Sequence, residues 1–357
     1  MKGFLKALLY RPVALISVIV LILLYLMMIF AEFIAPYNPG TSFSEKSFHP
    51  PAVSWYSSDL GFGPQVQERA VINEINWKYA RIRGTSKPVS FFVKGEPYKL
   101  WNLIPAERHL FGMAPGEDDT PVFLMGSDNL GRDLFSRILY GSRISLTIGF
   151  IGITISMTLA ITFGGLAGFY GGKIDWFIMR FSEFFILVPG LYLILFLRSI
   201  LARSMTSGQS FMIITVILSF VGWPGSARLI RGMVHSIKRE DFIANAVLEG
   251  IPTLSIIFKQ IIPQMSSIII VSIALGIPGF ILGETVLSYL GLGIVDPAVS
   301  WGSLINREIS TLSNLRNFPW FLIPGLFLLI TTLAFNFLGD LLRDFLDPYH
   351  RDKGGLR

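Results

Sequence analysis

Apolar residues in this chain fall into long runs separated by short polar stretches, and two stretches break that rhythm. The runs are Val13–Phe30 and residues 144–169, 177–198, 210–230, 267–290 and 318–340. A bilayer core about 30 Å thick takes roughly 20 apolar helical residues to cross. Within lipid a segment must satisfy its own backbone groups, so the runs predict six membrane-spanning helices. Gly222-Trp223-Pro224-Gly225 interrupts the fourth run, and the missing proline donor predicts a kink there. The first irregular stretch, residues 36–126, carries Pro, Asn, Ser, charge and the aromatics Trp55, Tyr56, Trp77 and Trp101, with no run long enough to span. Val89–Val93, Lys94-Gly95 and Tyr98–Trp101 predict a short hairpin inside it. The expected fold class is an all-α membrane protein of six transmembrane helices, with an insert of mixed or β structure between spans 1 and 2.

The second irregular stretch lies between the fourth and fifth runs. It reads Lys238-Arg239-Glu240-Asp241-Phe242-Ile243-Ala244-Asn245-Ala246-Val247-Leu248-Glu249-Gly250, then twelve residues, then Pro263. A plain turn between spans would be shorter. Asp241 suits a helix cap. Phe242, Ala246 and Gly250 lie about one turn apart and share a face, and Gly250 permits a sharp turn. Leu254, Ile257, Phe258 and Ile261 make a second apolar face, which Pro263 ends. An amphipathic helix of this kind either rests on lipid or enters a groove on a soluble partner. The fixed glycine favours the partner, because lipid contact needs no turn at a set place.

Charge orients the spans. One set of short segments holds Lys2, Lys6, Arg11, Lys173, Arg180, Arg228, Arg231, Lys238, Arg239, Lys259, Arg343, Arg351, Lys353 and Arg357, against Arg198, Arg203, Arg307 and Arg316 on the other. The positive-inside rule puts both termini in the cytoplasm and the insert outside. Arg132, Arg137 and Arg143 conflict with this locally, and an amphipathic outer-surface helix over 127–143 would accommodate them. Cleavage of the first run as a signal peptide fits poorly, since the run is long and Ala31-Glu32-Phe33 is a poor site. The expected divisions are 1–35 (N-terminus and first span), 36–126 (insert), 127–143 (outer-surface segment), 144–340 (five-helix core with the cytoplasmic loop 231–266) and 341–357 (tail).

Composition agrees with the membrane class. Hydrophobic residues are 52% of 357 and charged residues 15%, with a mean hydropathy of +0.58. The net charge of +6 then reflects cytoplasmic loops rather than nucleic-acid binding. Absence of cysteine excludes disulfides and thiolate metal sites. His49, His109, His235 and His350 are scattered, so surface or interfacial places are expected rather than ligation. Glu117-Asp118-Asp119 predicts a solvated loop. Asp128 to Asp133 lacks the order of a Ca²⁺ loop and predicts a turn into a helix. Gly164, Gly168 and Gly172 are spaced for close helix approach, and Glu183 for an i,i+3 pair with Arg180. Glu284 is an intramembrane acid, which faces a pathway or partner by default; its alternative role is helix packing near the outer end of the fifth span. Gly172-Lys173 is followed by Ile174, so no phosphate-binding loop exists there. No acidic proton relay or pair of broken ion-binding helices stands out. Energy for any transport should therefore come from another protein.

The 238–263 segment resembles the coupling loop of ATP-binding-cassette (ABC) importer permeases, whose pattern is Glu-Ala-Ala, three residues, Gly, twelve residues and Pro. Ala246, Gly250 and Pro263 match it; Ala244 and Asn245 replace its Glu and first Ala. Further blocks resemble dipeptide and oligopeptide permeases: Met125 to Arg137, Tyr140 to Leu146, Ile281 to Thr285 with Leu290 to Gly293, and Asn336 to Asp344 with Asp347-Pro348. The resemblance is loose over 1–35 and close over 125–348, and together the blocks are specific to the C-type permease of the peptide/nickel importer group. The 36–124 insert is longer than in most members. The resemblance implies the type I importer permease fold in the cell membrane, and a non-catalytic permease subunit of a peptide importer. Its implied partners are a homologous permease in a heterodimer, two ABC ATPases and an extracytoplasmic solute-binding protein. It implies no cofactor or metal of its own, with ATP bound by the ATPases. Asp241, Phe242, Ala246, Gly250, Leu254, Phe258 and Pro263 would then form the ATPase-coupling loop, with Glu284 a candidate for the translocation path. Nickel chelates or oligosaccharides are alternative cargoes within the group, and an ion-driven secondary transporter is the alternative outside it.

Overall fold

The apolar runs form helices, as a lipid environment demands of them. The computed structural model describes residues 8–57, 60–73, 77–113, 120–201, 206–294, 296–309 and 312–346. The expectations for Lys2, Lys6, Glu117-Asp118-Asp119, Arg203, Asp347-Pro348, His350, Arg351, Lys353 and Arg357, and for the tail beyond 346, lie outside the described residues. In chain order the elements are α1 (Pro12–Ile29), α2 (Ala31–Ile34), β1 (Val53–Ser57), β2 (Gly61–Asn73), β3 (Lys78–Phe91), β4 (Lys94–Leu100), β5 (Ile104–Arg108) and β6 (Phe111–Met113). There follow α3 (Leu134–Tyr170), α4 (Gly172–Leu187), α5 (Gly190–Leu201), α6 (Ser207–Ile237), α7 (Asp241–Leu248), α8 (Thr253–Ser255), a π-helical turn (Ile256–Ile261) and α9 (Ile262–Gln264). The last are α10 (Ser266–Tyr289), α11 (Trp301–Glu308), α12 (Leu312–Asn317) and α13 (Ile323–Leu346).

Among the described residues five helices are long and apolar enough to cross a membrane: α1, α3, α6, α10 and the stretch Pro319–Leu346 that contains α13. The expected third span is instead α4 and a part of α5, bent by 93°. Pro189 explains the break. Proline disfavours helical geometry in the residue before it, and Val188 is extended at φ −77°, ψ 125°. The fourth expected span, by contrast, runs as one helix through Pro224. The 127–143 stretch is not a separate surface helix, because α3 starts at Leu134 and runs on for 37 residues.

Contacts divide the chain into two compact units, one drawn from Met1–Leu21, Thr147–Glu284 and Ile330–Arg357, the other from Ile22–Leu146 and Thr285–Leu329. In the first unit α3 lies hard against α6. A Cβ on Gly164 would meet Ala227 O at 2.5 Å, and one on Gly168 would meet Arg231 O at 2.6 Å. Gly172 has open space and a φ of +55°, so it serves the α3–α4 turn rather than packing. Arg180 Nη1 pairs with Glu183 Oε2 at 2.5 Å, and Arg228 reaches Glu183 Oε1 at 3.6 Å.

In the second unit the strands form two sheets, in the order β1-β2-β3-β6 and β4-β5, with antiparallel pairing throughout. Ala52, Val66, Met113, Val122 and Phe123 make their buried core. The hairpin expected from Val89–Val93 and Tyr98–Trp101 does not form: β3 pairs with β2 and β6, and β4 turns back on β5. Trp101 and Asn102 take φ of +51° and +62°, the left-handed geometry that follows the natural twist of paired strands. Gly95 is needed for closeness, since its Cβ would lie 2.7 Å from the His109 ring.

The three conflicting arginines are charge partners in this unit. Asp128 is buried; its Oδ1 accepts from the Leu130 and Arg132 amides (2.8 and 2.9 Å) and its Oδ2 from Arg132 Nε (2.6 Å). Arg132 and Arg137 also reach Asp296, at 3.3 and 3.4 Å, and Arg307 pairs with the same carboxylate. Partial burial alone would raise the Asp296 pKa, but the Arg307 hydrogen bond and the charges of Arg137, Arg307 and Arg132 hold it below the usual range. Arg143 pairs with Glu32. Asp133 Oδ2 accepts from the Ser136 amide and hydroxyl at the start of α3 (2.8 and 2.6 Å), while burial pushes its carboxyl up to about 7.

His49 and His109 are buried in this unit, against the surface placement expected of them. His109 bridges Ala35 O (Nδ1, 2.5 Å) and Glu96 O (Nε2, 2.9 Å). His49 packs on Tyr79 and Phe123 and lies 2.7 Å from Pro50 O through Nδ1. Burial pushes the His49 pKa down to about 4; the Pro50 hydrogen bond opposes this, and Arg69 and Lys46 add to it.

Two outcomes follow from these contacts. Gly168→Leu forces α3 from α6 and should cost about 1–3 kcal/mol, the scale of overpacking, read as a lower melting temperature in detergent. Gly225→Ala, with no atom within 4 Å of its Cβ, should leave melting nearly unchanged. The His49 pKa is lower in the folded chain than its ordinary 6.5. Its contribution to stability is therefore complete above pH 6.5 and lost as pH falls toward 4, by at most about 1.4 kcal/mol per pH unit. His49→Phe should flatten the melting-temperature profile across that window; an unchanged profile would refute the assignment.

Candidate functional site

The 238–263 segment is a short helix, a sharp turn and a second helical stretch, and each has a local cause. After α6 the chain is held by Lys238, whose Nζ donates to Phe169 O and lies 5.3 Å from the Phe169 ring centre. Arg231 forks onto Asp175, with Nε to Oδ1 at 2.5 Å and Nη2 to Oδ2. Glu240, not Asp241, is the N-cap of α7, and no side chain caps the helix by a hydrogen bond. Asp241 instead occupies the first turn, where a negative charge complements the helix dipole.

The end of α7 is a Schellman turn. Ile251 N–H donates to Ala246 O and Gly250 N–H to Val247 O, both at 3.1 Å. Gly250 takes φ +73°, and a Cβ added to it would meet nothing within 4 Å. The glycine is thus required by backbone conformation and not by space.

Pro263 does not end the second stretch as its position in the sequence suggests. It occupies the first turn of α9, where a missing N–H is tolerated. The turn before it is π-helical: Ile262 N–H donates to Ile257 O, five residues back. Proline cannot donate to the carbonyl four residues before it, and the wider register brings the chain to Pro263 without that bond.

Burial sorts the segment into two faces. Ile243, Ala246, Ile256, Ile257 and Ile261 join Phe169, Ile230 and Val234 in one buried cluster. Phe242 (40% exposed), Val247, Leu248 (85%), Leu254 and Phe258 (45%) remain open. The structure thus separates residues that the sequence puts on common faces. Ala246 is 4% exposed and parts from Phe242, while Ile257 and Ile261 part from Leu254 and Phe258. Sequence reasoning misses Ile243 as the inner anchor and Val247 and Leu248 as outer residues. Two apolar faces on an eight-residue helix leave its rotation open, and only the i,i+3 spacing of Ile243 and Ala246 hints at it. Ala244 and Asn245 are exposed as well.

Glu284 lies in α10 and is fully buried, with 0% exposure. It is not brought to the loop's open face. Among the described residues no cluster of His, Asp or Glu has the grouping of a metal site. The arrangement offers mechanical contact rather than chemistry: a rigid apolar ridge on a loop whose other side is locked into helices.

Comparison with known proteins bears on the same region. The family described as "Binding-protein-dependent transport system inner membrane component" matches residues 160–351. The "N-terminal TM domain of oligopeptide transport permease C" matches residues 1–51. The chain is 37% identical over 252 residues to the oligopeptide transport system permease protein OppC of Haemophilus influenzae, covering 70% of this chain and 75% of that one. It is 39% identical over 248 residues to the dipeptide transport system permease protein DppC of Bacillus subtilis, covering 69% and 71%. It is 36% identical over 240 residues to OppC of Escherichia coli, covering 67% and 76%.

A substitution at the turn tests the loop's construction. Gly250→Ala places a side chain in the left-handed region and should cost about 1 kcal/mol. Faster hydrogen exchange confined to 241–263 is the expected readout, with Gly250→Asn milder. Equal protection in all three proteins would rule out a conformational role for the glycine.

Proposed function

The chain belongs to the inner membrane components of binding-protein-dependent transport systems, and from that premise we propose that it is the permease subunit of a peptide ABC importer. The observation that carries this reading is the apolar ridge of Phe242, Val247, Leu248, Leu254 and Phe258, exposed on a segment whose inner face is fully packed. Such a ridge suits a groove on a soluble protein, and an ATPase subunit is the partner the family supplies. Asp241, Phe242, Leu254 and Phe258 make contact in this reading. Gly250 sets the turn, Ala246 the inner seat and Pro263 the exit into α9.

Two ATPases, a homologous permease and an extracytoplasmic binding protein complete the proposed assembly. ATP is held by the ATPases; this chain needs neither a catalytic residue nor a cofactor. Closure of the ATPases pushes the ridge, and Ile243, Ala246, Ile256, Ile257 and Ile261 pass the displacement to α6 and α10. The pathway then changes between inward- and outward-open states. Counting the bent α4–α5 pair as one span gives the six-span type I topology, with cytoplasmic termini and an extracytoplasmic insert. Basic groups at Lys173, Arg180, Arg228, Arg231 and Lys238 support that orientation. The full burial of Glu284 favours helix packing within its own chain, and a pathway role requires that it be uncovered during transport. The names of the relatives favour peptides over nickel chelates or oligosaccharides as cargo.

Uptake of labelled di- and oligopeptides into proteoliposomes holding the whole assembly tests this reading. Uptake should require ATP, the ATPases and the binding protein. Leu248→Glu with Leu254→Glu, both at exposed positions, should cut ATPase co-purification and uptake by about tenfold or more, the scale of a hot-spot residue, without lowering the melting temperature. Uptake driven by an ion gradient in the absence of ATPases would overturn the proposal.

A further inference from the structure

The β4–β5 hairpin is tied to the end of the first span. Trp101, in its turn, donates its indole N–H to Ile29 O at 2.9 Å and its backbone N–H to Glu32 Oε1 at 3.1 Å. Arg143 fills the same corner: Nε donates to Met28 O at 3.1 Å, Nη2 to Ile29 O at 3.3 Å, and the guanidinium lies 4.3 Å over the Trp101 ring. The last carbonyls of a helix have no donor of their own, so Trp101 and Arg143 complete the end of α1. This tie sets the hairpin turn level with the last apolar turn of the span.

Beyond the tie the hairpin exposes what a turn in water has no use for. Leu103 is 80% exposed and Ile104 61% exposed, although turns in water favour Gly, Asn, Asp and Ser. Leu26 and Ile29 at the end of α1, and Phe30 just beyond it, are exposed. The apolar surface of the hairpin tip therefore begins where that of the span stops. Lys99, close before the turn, is exposed too.

We propose that the β4–β5 tip is a membrane anchor, with Leu103 and Ile104 inserted at the headgroup–acyl boundary of the leaflet at the Ile29 end of α1. Tryptophan is enriched at that depth because its ring is apolar and its N–H polar. Apolar side chains flanked by a basic residue bind the same zone through buried area and attraction to anionic headgroups. Lys99 supplies the charge. Only the crossing of the membrane by α1 is required, whatever solute is carried.

The chain has no cysteine, so single fluorophores can be placed in the full-length protein. Leu103→Cys carries an NBD label, with Ile104→Cys as a second site and Tyr56→Cys, 71% exposed on β1, as the reference. The proteins are reconstituted in phosphatidylcholine–phosphatidylglycerol vesicles whose acyl chains are brominated near the headgroup. Labels at 103 and 104 should emit at shorter wavelength than the label at 56, be quenched by the brominated lipid and lose most of their quenching by aqueous iodide. Labels at 103 and 104 that behave like the one at 56 would overturn the proposal. So would shielding that arises only when a solute-binding protein is added, which would assign the tip to protein docking.

Discussion

One-sided burial of the loop between α6 and α10 is the constraint on which the proposed activity depends. This segment lies between the long apolar helices α6 and α10 and must find its own reason to hold a shape. Here the reason is apolar area: Ile243 and Ala246 from α7, with Ile256, Ile257 and Ile261 from the π-helical turn, enter the same cluster as Ile230 and Val234 of α6. Burying an isoleucine is worth roughly 1.5–3 kcal/mol, so the four isoleucines together offset much of the entropy of ordering a short helix. Once the inner face is seated, the rotation of α7 is set, and Phe242, Val247 and Leu248 have nowhere to go but outward. The ridge is a consequence of the seat, and a push on one is a push on the other.

The second unit meets a different constraint with charge. Three arginines near the start of α3 look costly beside a membrane, and a count of basic residues alone puts them on the wrong side. Their environment gives them a structural role. Asp128 and Asp296 serve Arg132 and Arg137, Arg307 adds to the Asp296 side, and Glu32 serves Arg143. Truncating one member of such a buried network leaves its partner's charge uncompensated, which costs far more than the network contributes in isolation. The positive-inside rule counts Lys and Arg in short loops, whereas these three side chains have structural partners.

The spans, the β content of the insert and the position of the loop are legible in the sequence because each follows from composition over many residues. The details that fail are decided by single residues in three-dimensional context. Pro189 breaks the third span while Pro224 is carried inside a helix, and nothing in the two local sequences separates them. The hairpin is misplaced because Lys94-Gly95 looks like a turn, although Gly95 is small to admit the His109 ring and Trp101-Asn102 makes the reversal. At the loop, Asp241, Phe242, Gly250, Leu254 and Phe258 are recognisable as a group. Their division into seat and ridge is not, because an eight-residue helix with apolar residues on two faces does not reveal which face is inside.

The departures from the coupling-loop pattern now have a physical meaning. Gly250 and Pro263, which match, act on the backbone: one supplies a positive φ that closes the Schellman turn, the other sits where a lost N–H is harmless beyond a π-helical register. Ala246, which also matches, is small because it is buried beneath the turn. Ala244 and Asn245, which differ, are exposed, and neither side chain belongs to the buried cluster. Conformation and packing therefore coincide with the part of the pattern that this chain keeps, and the altered part is free surface. In the proposed docking the loss of an acidic group at 244 removes a charge from the contact and leaves the apolar ridge to provide both affinity and register. A partner surface matched to this chain should then be correspondingly apolar opposite Leu248 and Leu254 and indifferent to charge opposite Ala244.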